Sequence, residues 1–162
     1  MRRNRAHNDF REMGAPTSDH SRPRADAQRR TAGKPLRIVV ADDERDIVDT
    51  LAAVLRHAGH EVYGVYNGSE VLPTVRVARP DAVIIDISLP GMSGYAIAQE
   101  LRHTFTDLRR PLLIGISGKW KQRSDKVIAQ QVGFDHYLDK PCAVEEILKL
   151  LEPLKDRPDR RA

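Results

Sequence analysis

Polar residues stand at four places where an apolar segment of the chain stops, and their types suit one kind of chemistry. Asp42 and Asp43 follow the run LRIVVA, Asp86 breaks the run AVIIDI, Ser117 follows PLLIGI, and Lys140 follows HYLD. An ionised carboxylate at the end of a buried segment persists only where a cation or hydrogen-bond donors meet it. We therefore predict that these side chains converge on one point of the folded chain.

Three carboxylates in one small pocket repel one another strongly unless a cation lies between them. A ligand set made only of oxygen atoms, with no histidine or thiol, favours Mg²⁺ or Mn²⁺ over zinc. The lysine adds a point charge, and the serine adds a hydroxyl donor. Such groups around one carboxylate suit phosphoryl transfer, in which a carboxylate oxygen attacks phosphorus in line. The residue types therefore predict a phosphorylated aspartate.

The apolar pattern predicts five strands, each followed by a helix. The predicted strands are 36–41, 60–66, 82–87, 111–116 and 135–138, and the predicted helices are 46–57, 69–77, 95–105, 124–131 and 143–154. This alternation indicates an α/β fold: a flavodoxin-like, doubly wound, five-stranded parallel sheet of order 2-1-3-4-5 with helices on both faces. The carboxyl ends of strands 1 and 3 are then neighbours, and functional groups collect there.

Helical spacing also predicts which residues the first and last helices bury. The buried face of the first helix is predicted to consist of Ile47, Leu51, Val54 and Leu55. The buried face of the last helix is predicted to consist of Val144, Ile147, Leu148 and Leu151. Ser69 is predicted to cap the second helix.

The net charge of +4 is concentrated at the start of the chain. Residues 1–34 contain eight arginines and one lysine against four acidic residues, with Phe10 as their single aromatic. This composition predicts a disordered basic extension, followed by a folded domain at 35–155 and a charged tail at 156–162. The extension is interpreted as a solubilising tail, as upstream sequence if translation starts at Met13, or as a basic arm that contacts an acidic partner or a membrane surface. We do not expect nucleic acid as a partner, because no aromatic residues are interleaved to stack bases.

Several protein classes are excluded by what the sequence lacks. No apolar run approaches the roughly 20 residues needed to span a bilayer, and the first residues lack the hydrophobic stretch of a secretory signal. The lone cysteine, Cys142, has no second cysteine for an internal disulfide and no histidine at zinc-ligand spacing. The sequence therefore predicts a soluble, cytoplasmic protein.

Four elements in order resemble the receiver domain of two-component response regulators. They are DD at 42–43, DISLPGMSG at 86–94, SG at 117–118 and GFDHYLDKP at 133–141, and the resemblance covers about residues 36–154. It implies that Asp86 is the phosphoacceptor. It also implies a metal site in which Asp43 binds directly, Asp42 acts mostly through water, and Asp86 and the Ser88 backbone carbonyl complete the protein ligands.

The resemblance assigns roles to the remaining candidates as well. Lys140 would pair with Asp86 and then with the phosphoryl group, beside a cis Lys140-Pro141 bond. Ser117 and Tyr137 would be the switching hydroxyl and aromatic residues, with Ser117 in a place where the family more often has threonine. A basic loop at 119–123 contains Trp120, which is interpreted either as a partner anchor or as a residue folded back onto the next helix.

The implied function is a phosphorylation-dependent switch and not an enzyme, since the domain would catalyse only its own Mg²⁺-dependent phosphorylation and dephosphorylation. Its donor would be a phosphohistidine of a histidine kinase or histidine phosphotransfer protein. Its target would be a protein bound by the face of the fourth predicted helix, the fifth strand and the last helix. Because only eight residues follow Leu154, we expect a stand-alone receiver.

Three alternatives remain open at this point. The chain is a receiver fragment of a hybrid histidine kinase, or a nucleic-acid-binding regulator that uses its basic arm, or a phosphatase of the haloacid dehalogenase type. The last is disfavoured because those enzymes have a DxD motif after the first strand, whereas Asp42 and Asp43 are adjacent here.

Overall fold

The computed structural model describes residues 33–105, 110–118, 127 and 131–157. Four sequence interpretations therefore lie wholly or mostly outside the described residues. These are the disordered basic extension, the loop around Trp120, the helix at 124–131 and the last part of the charged tail.

A five-stranded parallel sheet forms the centre of the described domain. Its strands are β1 (Arg37–Ala41), β2 (Glu61–Val65), β3 (Ala82–Asp86), β4 (Leu112–Ser117) and β5 (His136–Asp139), in the order β2-β1-β3-β4-β5. The predicted order is confirmed. Ala41 lies opposite Ile85 in the β1–β3 register, so the next residues, Asp42 and Asp86, are neighbours at the carboxyl edge of the sheet.

Four described helices cover the sheet: α1 (Arg45–His57), α2 (Gly68–Ala78), α3 (Gly94–Thr104) and α4 (Val144–Lys155). Successive side chains of a strand point to opposite faces, and the strands divide their apolar residues accordingly. Ile38, Val40 and Ile84 pack with residues of α1 and α4. Val39 and Val83 pack with residues of α2 and α3. The helices therefore lie on both faces, as predicted.

The phase of α1 differs from the prediction. Its buried residues are Val48, Leu51, Ala52 and Leu55. Val54 is 38% exposed, and Ile47 is only half-buried. The stripe at i, i+3, i+4 and i+7 begins at Val48, and the two mispredicted residues lie along its edge. In α4, Ile147 and Leu151 are buried as predicted, while Val144 and Leu148 are only half-buried.

The cap of α2 is Asn67 and not Ser69. The Asn67 side chain accepts hydrogen bonds from the Ser69 backbone N–H, at 2.9 Å, and from the Ser69 hydroxyl, at 2.7 Å. A short amide side chain satisfies the free N–H groups of a first helical turn as well as a hydroxyl does. Ser69 is therefore the second residue of the helix, and its N–H is one of the groups that the cap satisfies.

A buried histidine, His60, lies directly before β2. Its Nδ1 accepts a hydrogen bond from the Leu36 backbone N–H at 3.3 Å, and its Nε2 is buried with no hydrogen-bond partner among the described residues. Burial lowers the pKa of His60, and the charge of Lys155 lowers it further, against smaller opposing effects of Glu152 and Asp81.

The domain is expected to lose stability as the pH falls through the ordinary histidine pKa of 6.5. Below that pH the unfolded chain takes up a proton that folded His60 binds only at lower pH, so the free energy of unfolding decreases until the lowered folded pKa is reached. Urea unfolding between about pH 5 and pH 8 measures this. His60→Asn keeps an acceptor for the Leu36 N–H and should weaken the dependence of the free energy of unfolding on pH. His103→Asn, at an exposed position, should leave that dependence unchanged. Equal flattening by both substitutions would refute the assignment.

Candidate functional site

Four strand ends bring the candidate residues to the carboxyl edge of the sheet. Asp42 follows β1, Asp86 ends β3, Ser117 ends β4 and Lys140 follows β5. The Lys140 backbone N–H donates to the Ser117 carbonyl at 3.0 Å, and the Lys140-Pro141 peptide bond is cis. The backbone of the lysine is therefore tied to the adjacent strand.

The ammonium group of Lys140 is shared between two buried carboxylates. Its Nζ donates to Asp42 Oδ2 at 2.6 Å and to Asp86 Oδ2 at 3.3 Å. Burial alone would lower the pKa of Lys140, but the hydrogen bond to Asp42 and the charge of Asp86 together raise it. The lysine is therefore held in its charged form. It lies closer to Asp42 than to Asp86, the partner that the family resemblance implies.

Backbone donors fix the other oxygens of the same two carboxylates. The Ser88 N–H donates to Asp86 Oδ1 at 3.0 Å, and the Glu44 N–H donates to Asp42 Oδ1 at 3.0 Å. Asp42 is 4% exposed and Asp86 is 7% exposed. Such buried charges require hydrogen-bonded partners, and each carboxylate has one partner at each oxygen.

The acidic cluster fits a divalent cation. Asp42, Asp43 and Asp86 each offer a carboxylate oxygen, and these three atoms lie within 4.8 Å of one another. Lys140 compensates one of the three negative charges, so these side chains alone leave two uncompensated. Asp43 is exposed, and the cluster therefore opens to solvent on its side. Oxygen ligands with an open side suit a cation that keeps several of its waters, such as Mg²⁺.

Ser117 and Tyr137, the predicted switching pair, lie on neighbouring strands. Ser117 is buried at the end of β4. Tyr137, on β5, lies opposite Gly115 of β4 and is half-buried. The Tyr137 ring makes an edge contact with the Phe134 ring, with centroids 5.5 Å apart. Burial raises the pKa of the Tyr137 hydroxyl, so the tyrosine is neutral at physiological pH.

Two features of the site were missed by sequence reasoning. Glu44 Oε1 lies 3.9 Å from Lys140 Nζ, which adds a third, exposed carboxylate to the surroundings of the lysine. The position of Glu44 directly after Asp42 and Asp43 could have indicated that it lies near Lys140. The second feature is the contact between the Asn67-Gly68 turn and the loop after Asp86. The asparagine-glycine pair predicted the turn but not this contact.

The five-stranded parallel sheet and the acidic cluster at its carboxyl edge define an α/β domain of the receiver class. The chain belongs to the response regulator receiver domain family, whose sequence model matches residues 38–152. Receiver domains of this family belong to phosphorylation-based two-component signalling.

The response regulator MprA of Mycolicibacterium vanbaalenii is 35% identical over 123 residues, which are 76% of this chain and 52% of that protein. This chain thus spans about half the length of the curated relatives it matches.

Solved structures share the same architecture. A response regulator from Chloroflexus aurantiacus has a TM-score of 0.66 and 29% identity, covering 76% of this chain and 100% of the other. The receiver domain of the sensor histidine kinase PA1611 from Pseudomonas aeruginosa has a TM-score of 0.66 and 26% identity with the same coverage, and it has a magnesium ion coordinated in its active site cleft. Among the residues described for this chain, no helix is long and apolar enough to cross a membrane.

Proposed function

We propose that Asp86 accepts a phosphoryl group from a phosphohistidine of a histidine kinase or histidine phosphotransfer protein, and that the phosphorylated chain acts through contact with a target protein. The observation that carries this proposal is the sharing of one ammonium group by Asp42 and Asp86, beside the exposed carboxylate of Asp43. This arrangement places a nucleophilic carboxylate beside an ammonium group and beside oxygen ligands for a divalent cation, as in-line phosphoryl transfer requires.

The residues of the chain divide the work of this transfer. The Ser88 N–H and the Lys140 ammonium orient the Asp86 carboxylate from its two oxygens, so that it can attack phosphorus as the bond to the donor imidazole breaks. Lys140 then neutralises charge on the phosphoryl oxygens. A divalent cation, Mg²⁺ or Mn²⁺, would be held by Asp42, Asp43, Asp86 and the Ser88 backbone carbonyl, and it supplies further charge neutralisation when bound. The chain catalyses only its own phosphorylation and dephosphorylation.

The output is a change of surface. The Ser117 hydroxyl moves toward the new phosphoryl oxygens, and the Tyr137 ring turns into the space that this leaves. Tyr137 lies on β5, whose side chains pack beside α4 and Phe134, so its movement changes the face that β5 and α4 present to a target. Such two-state rearrangements are how local phosphorylation becomes a partner preference.

A second context for the same chemistry is a receiver within a hybrid histidine kinase. The receiver of the sensor histidine kinase PA1611 is matched over its whole length at 26% identity. In that context the phosphoryl group would pass from Asp86 to a histidine of a phosphotransfer protein. The face formed by β5 and α4 would then bind no target protein other than this phosphotransfer protein. Phosphorylation-dependent binding of a separate target protein by β5 and α4 distinguishes the two contexts.

The wild-type chain is expected to gain one phosphoryl group when incubated with Mg²⁺ and acetyl phosphate. Intact-mass measurement detects the gain, hydroxylamine should remove it because an acyl phosphate is labile to that nucleophile, and chelation of Mg²⁺ should prevent it. Failure to take label from either acetyl phosphate or a phosphorylated phosphotransfer protein, with the chain folded and Mg²⁺ present, would contradict the proposal.

A further inference from the structure

The loop that follows the phosphoacceptor is held closely at its base. This loop, residues 87–93, connects Asp86 to α3. Gly94, the first residue of α3, donates its backbone N–H to the Ile87 carbonyl at 3.1 Å. A Cβ at position 94 would lie 2.8 Å from Ile87 Cα, so the backbones approach as closely as only glycine permits.

The tip of the loop is held by the Asn67-Gly68 turn at the start of α2. The Gly68 backbone N–H donates to the Pro90 carbonyl at 2.9 Å. A Cβ at Gly68 would lie only 1.9 Å from the Met92 carbonyl oxygen. Gly91, at a φ of +83°, lies against the Asn67 side chain, and a Cβ there would be 2.4 Å from Asn67 Oδ1. The turn and the loop therefore fit together only because two glycines meet at the contact.

The loop in turn orients the phosphoacceptor. Ser88, two residues before Pro90, donates its N–H to Asp86 Oδ1 at 3.0 Å. The flanking residues Ile87 and Leu89 are both buried, so this part of the backbone has little freedom to adjust by itself. A displacement of the loop tip at Pro90 is therefore transmitted to the Ser88 N–H and to the carboxylate that it holds.

We propose that the Asn67-Gly68 turn is a positioning element for phosphoryl transfer at Asp86, which acts by holding the loop and, through it, the Ser88 N–H. This inference rests on the proposed function of Asp86. Neither Asn67 nor Gly68 contacts the carboxylate in the described structure, so both act through the loop. Because a misplacement of about 1 Å at a reacting group can cost up to about 100-fold in rate, the turn controls how fast the chain is phosphorylated.

Gly68→Ala is expected to slow phosphoryl uptake from acetyl phosphate at saturating Mg²⁺ by about 10-fold or more. The added Cβ must push the Met92 carbonyl away and weaken the bond to Pro90. The amide proton resonance of Ser88 is expected to shift upfield, because its hydrogen bond to Asp86 lengthens. Val75→Ala is the matched control, since it removes buried volume from the same helix about two turns beyond the contact and should leave the Ser88 resonance unchanged.

A second pair of substitutions tests the turn without a backbone clash. Asn67→Ala removes the side chain that supports Gly91 and should slow uptake, whereas Asn67→Asp keeps its size and its cap on Ser69 and should restore the wild-type rate. The proposal is overturned if Gly68→Ala and Asn67→Ala keep both the wild-type rate and the Ser88 resonance, or if Val75→Ala slows uptake equally. If the wild type itself takes no label, the proposed function has failed, and the Ser88 resonance alone decides whether the turn holds the carboxylate.

Discussion

Asp86→Asn is expected to abolish phosphoryl uptake while leaving the fold intact. Asparagine keeps the size of the side chain and an acceptor for the Ser88 N–H, but its amide cannot attack phosphorus as a carboxylate does. The substitution also removes one of three crowded negative charges, so the variant should be more stable than the wild type in the absence of divalent cations. Intact mass after incubation with Mg²⁺ and acetyl phosphate measures the first effect, and urea unfolding in chelator measures the second.

Asp49→Asn is a suitable control for this experiment. Asp49 is an exposed carboxylate on α1 that accepts a hydrogen bond from Tyr66, so its loss removes a charge without touching the acidic cluster. This control should take up one phosphoryl group at the wild-type rate. Label on another residue of Asp86→Asn, at a rate like that of the wild type, would refute the assignment of Asp86. A variant that does not gain stability in chelator would contradict the electrostatic account of the cluster.

The location of the cluster was predictable because a parallel sheet converts sequence position into spatial position. Each strand enters the sheet in the same direction, so the residues that follow the strands meet at one edge whatever the helices between them do. Asp42, Asp86 and Lys140 are brought together in this way. Their chemical roles stay predictions, since convergence alone does not phosphorylate a residue.

Details that depend on side-chain phase or on contacts between distant segments were not predictable. Ile47 and Val54 have the same helical spacing as Val48 and Leu55, and apolar type alone does not say which row faces the sheet. The closer approach of Lys140 to Asp42 than to Asp86 depends on the rotamers of a long side chain. The role of Gly68 depends on the Met92 carbonyl, which belongs to a loop that the sequence of the turn does not specify.

Lys140→Ala is expected to have the second-largest effect, on stability as well as on signalling. Removing the ammonium leaves the buried carboxylates of Asp42 and Asp86 without their shared donor. The free energy of unfolding in chelator should fall by about 1 to 3 kcal/mol. This is less than the cost of removing one partner of a fully buried ion pair, because the lysine is partly exposed to solvent. Urea unfolding with and without Mg²⁺ measures this, and Mg²⁺ should recover part of the loss because a divalent cation neutralises the same carboxylates.

Phosphoryl uptake by Lys140→Ala should continue at a reduced rate, since the Asp86 nucleophile remains, but the coupled movement of Ser117 and Tyr137 should be lost. In the proposed mechanism Lys140 links the phosphoryl group to β5, and its backbone N–H donates to the Ser117 carbonyl, so without its ammonium the new charge has no cation at that strand. Amide resonances of Ser117 and Tyr137, compared before and after phosphorylation, report the coupling. Lys149→Ala, on the exposed side of α4, should match the wild type in every measurement. Wild-type resonance changes in Lys140→Ala would show that the signal reaches β5 by another route.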